Sequence, residues 1–387
     1  MYTFWLILQV IFTVPFWFPF LLFIIYQIRK RIQWQTTPGG WDHYDIGVII
    51  TAYQQMDLVE DAVASILKST YDNYLIYVVA DACDITGVSF KSDRVILLRP
   101  EKVLSSNTKS HFFAIENFRR AHNIITIIDS DNLVDPHYLS EIANKMEEGF
   151  DAVQGVRAAR NLNTVYACLD EAGDIFYRFI DRLLLYGTGS SASLAGSGMA
   201  FDTEVYKKMF RNFTASGAGF DKYLQYQLVN QGYRIAFTSN AIVYDGKTDN
   251  PEQLVKQRAR WINAWFKHWV LGVKLFFKSI FRLNWNQFAF SIMIIRPPLF
   301  MLAFLSAVMV LLNLLFTPAG LLIWTCSFVF FIFLFFYALD TFKAKPSIYQ
   351  SLKQIPRFMY YQVVALFKAK KANTLSVATK HNVKAYK

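Results

Sequence analysis

Asp129 and Asp131 stand one residue apart at the end of the apolar run "IITIIDSD" (124–131). Two carboxylates so placed are hard oxygen donors. They suit Mg²⁺ or Mn²⁺, ions that commonly bridge a carboxylate and a diphosphate. A strand that simply ends in a polar turn gives the same pair. Asp81 and Asp84 in "VVADACD" end another apolar run, and two acid-tipped runs are harder to dismiss than one. "LAGSGMAFD" (194–202) adds Gly196, Ser197 and Gly198, a loop through which backbone could approach a ligand closely, although plain turns look alike. Asp221 in "GAGFDKYLQYQL" falls at an expected helix start, where helix electrostatics favour an acid whatever its role.

The segment "QRARWINAWFKHW" (257–269) sets arginines among tryptophans. Asn250 and Gln253 can cap a helix whose first position is Pro251. On it Gln257, Arg260 and Trp261 fall at i, i+3 and i+4 and share a face. An amide, a guanidinium and an indole there can serve a diphosphate and a sugar ring, since arginine offers a forked donor to phosphate oxygens. An amphipathic helix lying at a membrane interface has the same composition. That is the preferred account of Trp265, Lys267, Trp269 and the following "GVKLFFKSIF". For 257–261 both accounts hold together if the helix starts in a site and continues along a bilayer.

These residues need elements to hold them. "DIGVIITAY" (45–53), "YLIYVVAD" (74–81), "DRVILLRP" (93–100) and the run ending at Asp131 read as buried strands. Between them, Asp57 and Glu60 form a capping-box pattern for a helix to about Lys68, and residues 109–121 read as a second helix. Asp135 and Pro136 place a cap and a first-turn proline before a third. Strands alternating with helices predict an α/β fold, a mostly parallel sheet covered on both faces. In such sheets ligands bind beyond the carboxyl ends of the strands, where the acids above stand.

The flanks are of another kind. Residues 4–28 carry no charge and are long enough to cross a bilayer. A signal peptide fits badly: no basic residue precedes the run and no small-residue cleavage site follows. Residues 297–316 and 319–339 are also uncharged, and only Thr317 and Pro318 separate them, which predicts a helical hairpin. Arg29, Lys30 and Arg31 follow the first span and Lys343 and Lys345 the last, so both clusters are expected in the cytosol, with residues 32–283 between them. The net charge of +11 falls largely beside the spans and in the tail. Anionic lipid headgroups answer it more simply than nucleic acid, for which no motif is present. Cys83, Cys168 and Cys326 have neither disulfide nor metal spacing.

Together the motifs resemble the membrane-bound glycosyltransferases of family 2, the group that contains cellulose, hyaluronan and poly-N-acetylglucosamine synthases. The resemblance runs from "VIITAYQQ" through "VVADACD", "DSD", "GSGMAF" and "FDKYL" to "QRARW", and extends to "ATKH" (378–381). It implies a Rossmann-like, glycosyltransferase A-type cytosolic domain flanked by transmembrane and interfacial helices. The expected segments are an N-terminal span (1–31), the catalytic domain (32–262), interfacial amphipathic helices (263–296), a transmembrane hairpin (297–342) and an interfacial or cytosolic tail (343–387).

By the same resemblance Ala52, Tyr53 and Asp81 would line the nucleotide pocket, with Lys109 near the donor. Asp129 would contact the donor, and Asp131 would ligate Mg²⁺ or Mn²⁺ on its diphosphate. Gln257, Arg258 and Arg260 would hold that diphosphate. Asp221 would be the general base on the acceptor, Trp261 would sit under the acceptor sugar, and Gly196, Ser197 and Gly198 would border it. Phe220 stands where the family commonly has Glu. The reaction so implied moves a sugar from a UDP-sugar to a growing β-linked polysaccharide with inversion. A single sugar added to a membrane lipid is the alternative, and three spans are few for a polymer channel, which would then fall to an accessory export protein or a second copy.

Overall fold

The computed structural model describes residues 2–32, 43–210 and 219–372; "ATKH" lies outside them. The long apolar runs become strands buried on both faces: β1 Ile46–Tyr53, β2 Tyr74–Asp81, β3 Val95–Leu98 and β4 Ile124–Asp129. β1 pairs in parallel with β2 and β4, and β2 with β3. The register sets Tyr53 opposite Asp81 and Thr51 opposite Asp129, so the expected nucleotide and metal residues end on one edge of the sheet.

The second half of the sheet comprises β5 Leu133–Val134, β6 Ala152–Ala159, β7 Met199–Asp202 and β8 Ile235–Asp245. The full order is β3-β2-β1-β4-β7-β6-β8-β5. β7 is antiparallel to both β4 and β6, and β5 is antiparallel to β8. The sheet is therefore mixed. β6 shifts register between Gln154 and Val156. Gly155 permits this, because an added Cβ would lie 2.4 Å from the Ala241 carbonyl oxygen.

Alternate residues of each strand point to opposite faces. Val48, Ile50, Ile76, Val78 and Ile128 pack under α2 (Val59–Ile66) and α4 (Tyr138–Glu147). Ile49, Tyr77, Ile125 and Ile127 pack on the other face against α5 (Val165–Arg178) and the π-helical segment Phe179–Leu184 that continues it. That second cluster also takes in Phe18 and Leu22 of α1 (Tyr2–Ile32) and Leu334 and Ala338 of α12 (Pro318–Thr341). One apolar core thus joins the sheet to the flanking helices. The remaining helices are α3 Asn107–Glu116, α6 Leu185–Gly187, α7 Thr203–Phe210, α8 Phe220–Asn230, α9 Pro251–Arg282, α10 Trp285–Ile295, α11 Leu299–Phe316, α13 Pro346–Ser351 and α14 Ile355–Lys368.

Several expected boundaries move. α2 starts after Leu58 with no side-chain cap, so Asp57 and Glu60 form no capping box. α4 starts after His137, while the Asp135 carboxylate accepts the His137 N–H at 2.9 Å in the preceding turn. α3 is shorter than expected and ends at Glu116, with Asn117 as its C-cap, whose amide donates to the Phe113 carbonyl at 2.8 Å. α9 runs unbroken through residue 262, where the domain boundary was expected.

Two helices, α1 and α12, are long and apolar enough to cross a membrane. α10 and α11, bent by 74°, make a third candidate only if taken as one broken span. The hairpin at Thr317–Pro318 forms as expected. α1 joins it through polar contacts inside an apolar layer: Gln9 Oε1 accepts from Asn313 at 2.7 Å and from Trp324 at 3.0 Å, and Trp17 donates to Ser327 at 2.8 Å.

Candidate active site

A cavity of about 590 Å³ opens at the carboxyl edge of the sheet, where an α/β fold is expected to hold its ligand. At one end it is lined by Thr51, Ala52, Tyr53 and Asp81. The buried Asp81 carboxylate accepts the backbone N–H groups of Leu104 at 2.9 Å and Ser105 at 2.8 Å, and the hydroxyls of Tyr53 and Ser105 lie 3.2 Å apart. Gln54, Ala82 and Ser105 all have positive φ, at 60°, 54° and 48°. Such strain in non-glycine residues tends to gather where a ligand is held. Lys109 is exposed and outside the cavity wall, because on α3 it is Asn107 and Ser110, three residues apart, that turn inward. Asp84 is likewise exposed, and its carboxylate accepts the Thr86 N–H at 3.0 Å, an ordinary polar turn.

Asp129 lines the centre of the cavity, with its backbone N–H donating to Ser197 Oγ at 3.1 Å. Burial, then the Asp131 carboxylate, push the Asp129 carboxyl up to about 7, against the opposing pull of Arg157. Asp131 is half-buried beside it and is not part of the wall. Of the glycine-rich loop, Gly196 lines the cavity. Ser197 and Gly198 are buried behind it: Ser197 Oγ also accepts from Asn132 at 2.8 Å, and Gly198 hydrogen-bonds Gly155 and Ile127.

The Asp129–Asp131 pair fits a divalent cation on the chemistry of its donors. Two adjacent carboxylates whose repulsion raises one of them are relieved by a cation, and Mg²⁺ or Mn²⁺ takes its remaining ligands from water or phosphate. Among the described residues no cluster of three or more His, Cys, Asp or Glu side chains forms a fuller metal cage.

α9 supplies the opposite wall. Asn250 caps it by accepting the Gln253 N–H at 3.0 Å, and Pro251 takes the first position. Gln257, Arg258, Arg260 and Trp261 all line the cavity. Gln257 Oε1 accepts from Thr248 at 3.1 Å. The Arg258 guanidinium lies 4.2 Å from the Trp261 ring centroid and pairs with buried Asp170. Burial lowers the pKa of Arg260. Asp221 enters from the first turn of α8. Gly219 starts that turn at φ 99°, and an added Cβ would meet His268 at 3.2 Å and Ala264 at 3.3 Å.

Sequence reasoning missed the floor of the cavity. α5 and its π-helical continuation carry Asp170, Asp174, Asp181 and Arg182, the last three of which line the cavity. Asp174 pairs with buried Lys247, Arg157 with Asp245, and Arg178 with Glu171 at 3.0 Å. Asp181 pairs with Arg296 at 2.7 Å. The spacing 170, 174, 178, 181, 182 sets a charged stripe on one helical face, a pattern that a solvent-facing helix shares. Beyond Asp221 the wall turns apolar with Leu271, Phe290, Met293 and Phe300 from α9, α10 and α11.

A nucleotide-sized cavity at the sheet edge, an acid pair at its centre and an arginine–tryptophan helix across from them define a transferase site of the glycosyltransferase A type. A family profile described as Glycosyltransferase like family 2 matches residues 43–264, more than half of the chain, and the protein belongs to that family. No curated protein sequence matches it. Among solved structures it is similar to the mannosyltransferase PcManGT from Pyrobaculum calidifontis in complex with GDP-Man and Mn²⁺, at 13% identity and a TM-score of 0.52. That alignment covers 94% of this chain and 97% of that one, so the common fold takes in the flanking helices as well as the sheet. A second similar structure is S. aureus TarS 1–349 in complex with UDP-GlcNAc, at 14% identity and a TM-score of 0.42, covering 85% of this chain and 90% of that one.

Proposed function

We propose that the protein is an inverting glycosyltransferase that moves a hexosyl group from a nucleotide-sugar to an acceptor hydroxyl at the cytosolic face of a membrane. One observation carries this reading: Asp129, Asp221, Gln257, Arg258, Arg260 and Trp261 meet in one cavity at the carboxyl edge of the sheet. Ala52, Tyr53 and Asp81 bind the nucleoside. Gln257, Arg258 and Arg260 bind the diphosphate, and Asp129 with Asp131 would hold Mg²⁺ or Mn²⁺. When bound, that cation supplies positive charge to the departing diphosphate. Asp221 takes the acceptor proton as the hydroxyl oxygen bonds to the anomeric carbon and the bond from that carbon to the diphosphate breaks. Arg258 and Arg260 meet the negative charge that develops there. Trp261 forms the platform for the acceptor sugar, and Gly196 borders it, with Ser197 and Gly198 supporting the loop from behind.

Arg29, Lys30 and Arg31 after α1 and Lys343 and Lys345 after α12 support a cytosolic site. The proposed segments are those expected from the sequence, with α9 bridging the catalytic and interfacial parts.

Two acceptors compete. The Q-R-A-R-W segment favours a growing β-linked polysaccharide. The apolar arm of the cavity, walled by α9, α10 and α11 beside the apolar hairpin, favours a membrane lipid that receives one sugar, and the geometry supports this second acceptor better. The test is product analysis with full-length protein in lipid, Mn²⁺ or Mg²⁺, and a panel of UDP- and GDP-sugars. Nucleoside diphosphate release with one sugar on extracted lipid is the expected result, and a ladder of long chains would restore the polysaccharide. Nuclear magnetic resonance of the linkage formed from an α-linked donor should give the β anomer; an α linkage would end the single-displacement mechanism.

A further inference from the structure

The ion-pair network under the cavity holds one cation too many. Asp170, Glu171, Asp174, Asp181 and Asp245 are paired among Arg157, Arg178, Lys247, Arg258 and Arg296. Arg182 is left over: among the described residues it has no ion pair, and its buried Nε has no hydrogen-bond partner. Its charged neighbours are the cations Arg157 and Arg178 and the acids Asp174 and Asp181, both acids already engaged, and burial pulls its pKa down to about 10.

An unpaired guanidinium in such a place is costly unless something answers it. Arg182 sits in the π-helical segment, a distortion frequently found at functional sites, and it lines the cavity. It lies about two helical turns beyond Asp174, next to Asp181, whose carbonyl accepts the Ser193 N–H at 2.8 Å. Trp265 lines the same cavity, and its buried Nε1 also has no partner. Arg182 and Trp265 thus border a cavity whose wall also holds the apolar Leu271, Phe290, Met293 and Phe300 and the Asp181–Arg296 ion pair.

We propose that Arg182, with the Trp265 N–H, is the binding site for a phosphate carried by an amphipathic lipid acceptor, whose apolar part lies along α10 and α11 while its hydroxyl faces Asp221. The proposal rests on the lipid-acceptor reading above. A guanidinium binds phosphate through forked, charge-assisted hydrogen bonds. A neutral lipid would leave it unanswered.

The test uses full-length protein in neutral detergent and a short-chain phosphatidic acid as probe, with the matching diacylglycerol and a soluble phosphorylated oligosaccharide for comparison. Binding is read by native mass spectrometry, and UDP and GDP binding is measured in the same samples. Phosphatidic acid should bind the wild type more tightly than diacylglycerol does. Arg182→Ala should weaken it at least about tenfold while nucleotide affinity stays unchanged, and Arg182→Lys should fall between. The ligand-free thermal midpoint of Arg182→Ala should not drop, since the change removes an unpaired cation. Should that variant fail to fold, Arg182→Lys and Trp265→Phe carry the test, each with weakened phosphatidic acid binding. Unchanged affinity in the variants overturns the proposal. So does equal binding of the soluble phosphorylated sugar, which would hand the arm to an anionic glycan. Failure of nucleotide binding in the wild type instead sinks the transferase reading, so the two failures are told apart.

Discussion

Each acid of the site makes a separate claim. Asp221→Asn keeps the shape of the side chain and removes its basicity, so transfer should fall by about 10²-fold or more while donor affinity, measured by nucleotide-sugar titration, stays the same. Lost donor binding would move Asp221 into the donor pocket. Asp129 gives a pH prediction. Its carboxyl is pushed up to about 7 from an ordinary 3.8, by burial first and Asp131 second, so the fold favours the protonated form. The stability it contributes is complete below its unfolded value and is lost as pH rises through about 7. The thermal midpoint of the metal- and donor-free protein should therefore decline across that interval, and Asp129→Asn should flatten the slope. An unchanged slope in the variant would assign the titration elsewhere. Asp129 and Asp81 were legible in the sequence because an acid at the end of an apolar strand is visible in one dimension. Asp84 has the same signature but only closes a turn.

Helices decide which residues face one another, and here the reading was uneven. α9 was legible from its cap, its first-turn proline and the Gln257–Trp261 spacing, and each of those features is present. Lys109 was expected near the donor by the family resemblance; on α3 it is exposed, while Asn107 and Ser110 line the cavity. α5 was illegible for a different reason. Its charges look like the wet face of a surface helix, and the residues that pair with them come from the loop after β8 and from α9: Lys247 for Asp174, Arg258 for Asp170. Only folding reveals that this face is buried. The Asp170–Arg258 pair then yields a prediction. Asp170→Ala leaves the Arg258 guanidinium buried without its partner and should cost about 3–5 kcal/mol, with weaker donor binding because Arg258 belongs to the diphosphate wall. Arg258→Ala should cost a similar amount, and the double variant less than the sum of the two. Denaturant unfolding of the four proteins in one detergent decides it. Strict additivity would mean the pair contributes nothing as a pair.

At the scale of the whole chain, the stretch that matches the family and the folding unit differ. The family match ends at residue 264, inside α9, which suggests that residues 43–264 could be cut out as a soluble enzyme. The core argues otherwise. Phe18 and Leu22 of α1 and Leu334, Ala338 and Leu339 of α12 lie in the same buried cluster as Ile49 and Tyr77 of the sheet and Phe179 and Leu184 of the π-helical segment. Polar ties cross the same seam: Arg29 and Trp285 both donate to the Thr188 carbonyl, at 3.2 and 2.9 Å. Cutting the flanks away would open a contiguous apolar face on the catalytic sheet's own helices, and a face of that kind drives aggregation. It would also remove the α10 and α11 walls of the acceptor arm. Residues 43–264 expressed alone should therefore be insoluble or aggregate on size exclusion, whereas the full chain in detergent should elute as a single species and bind nucleotide. A monodisperse fragment with cooperative unfolding and intact nucleotide binding would show that the flanking helices only anchor the enzyme. The aggregated fragment would mean that the apolar helices complete its core, and that the acceptor cavity exists only when they are in place.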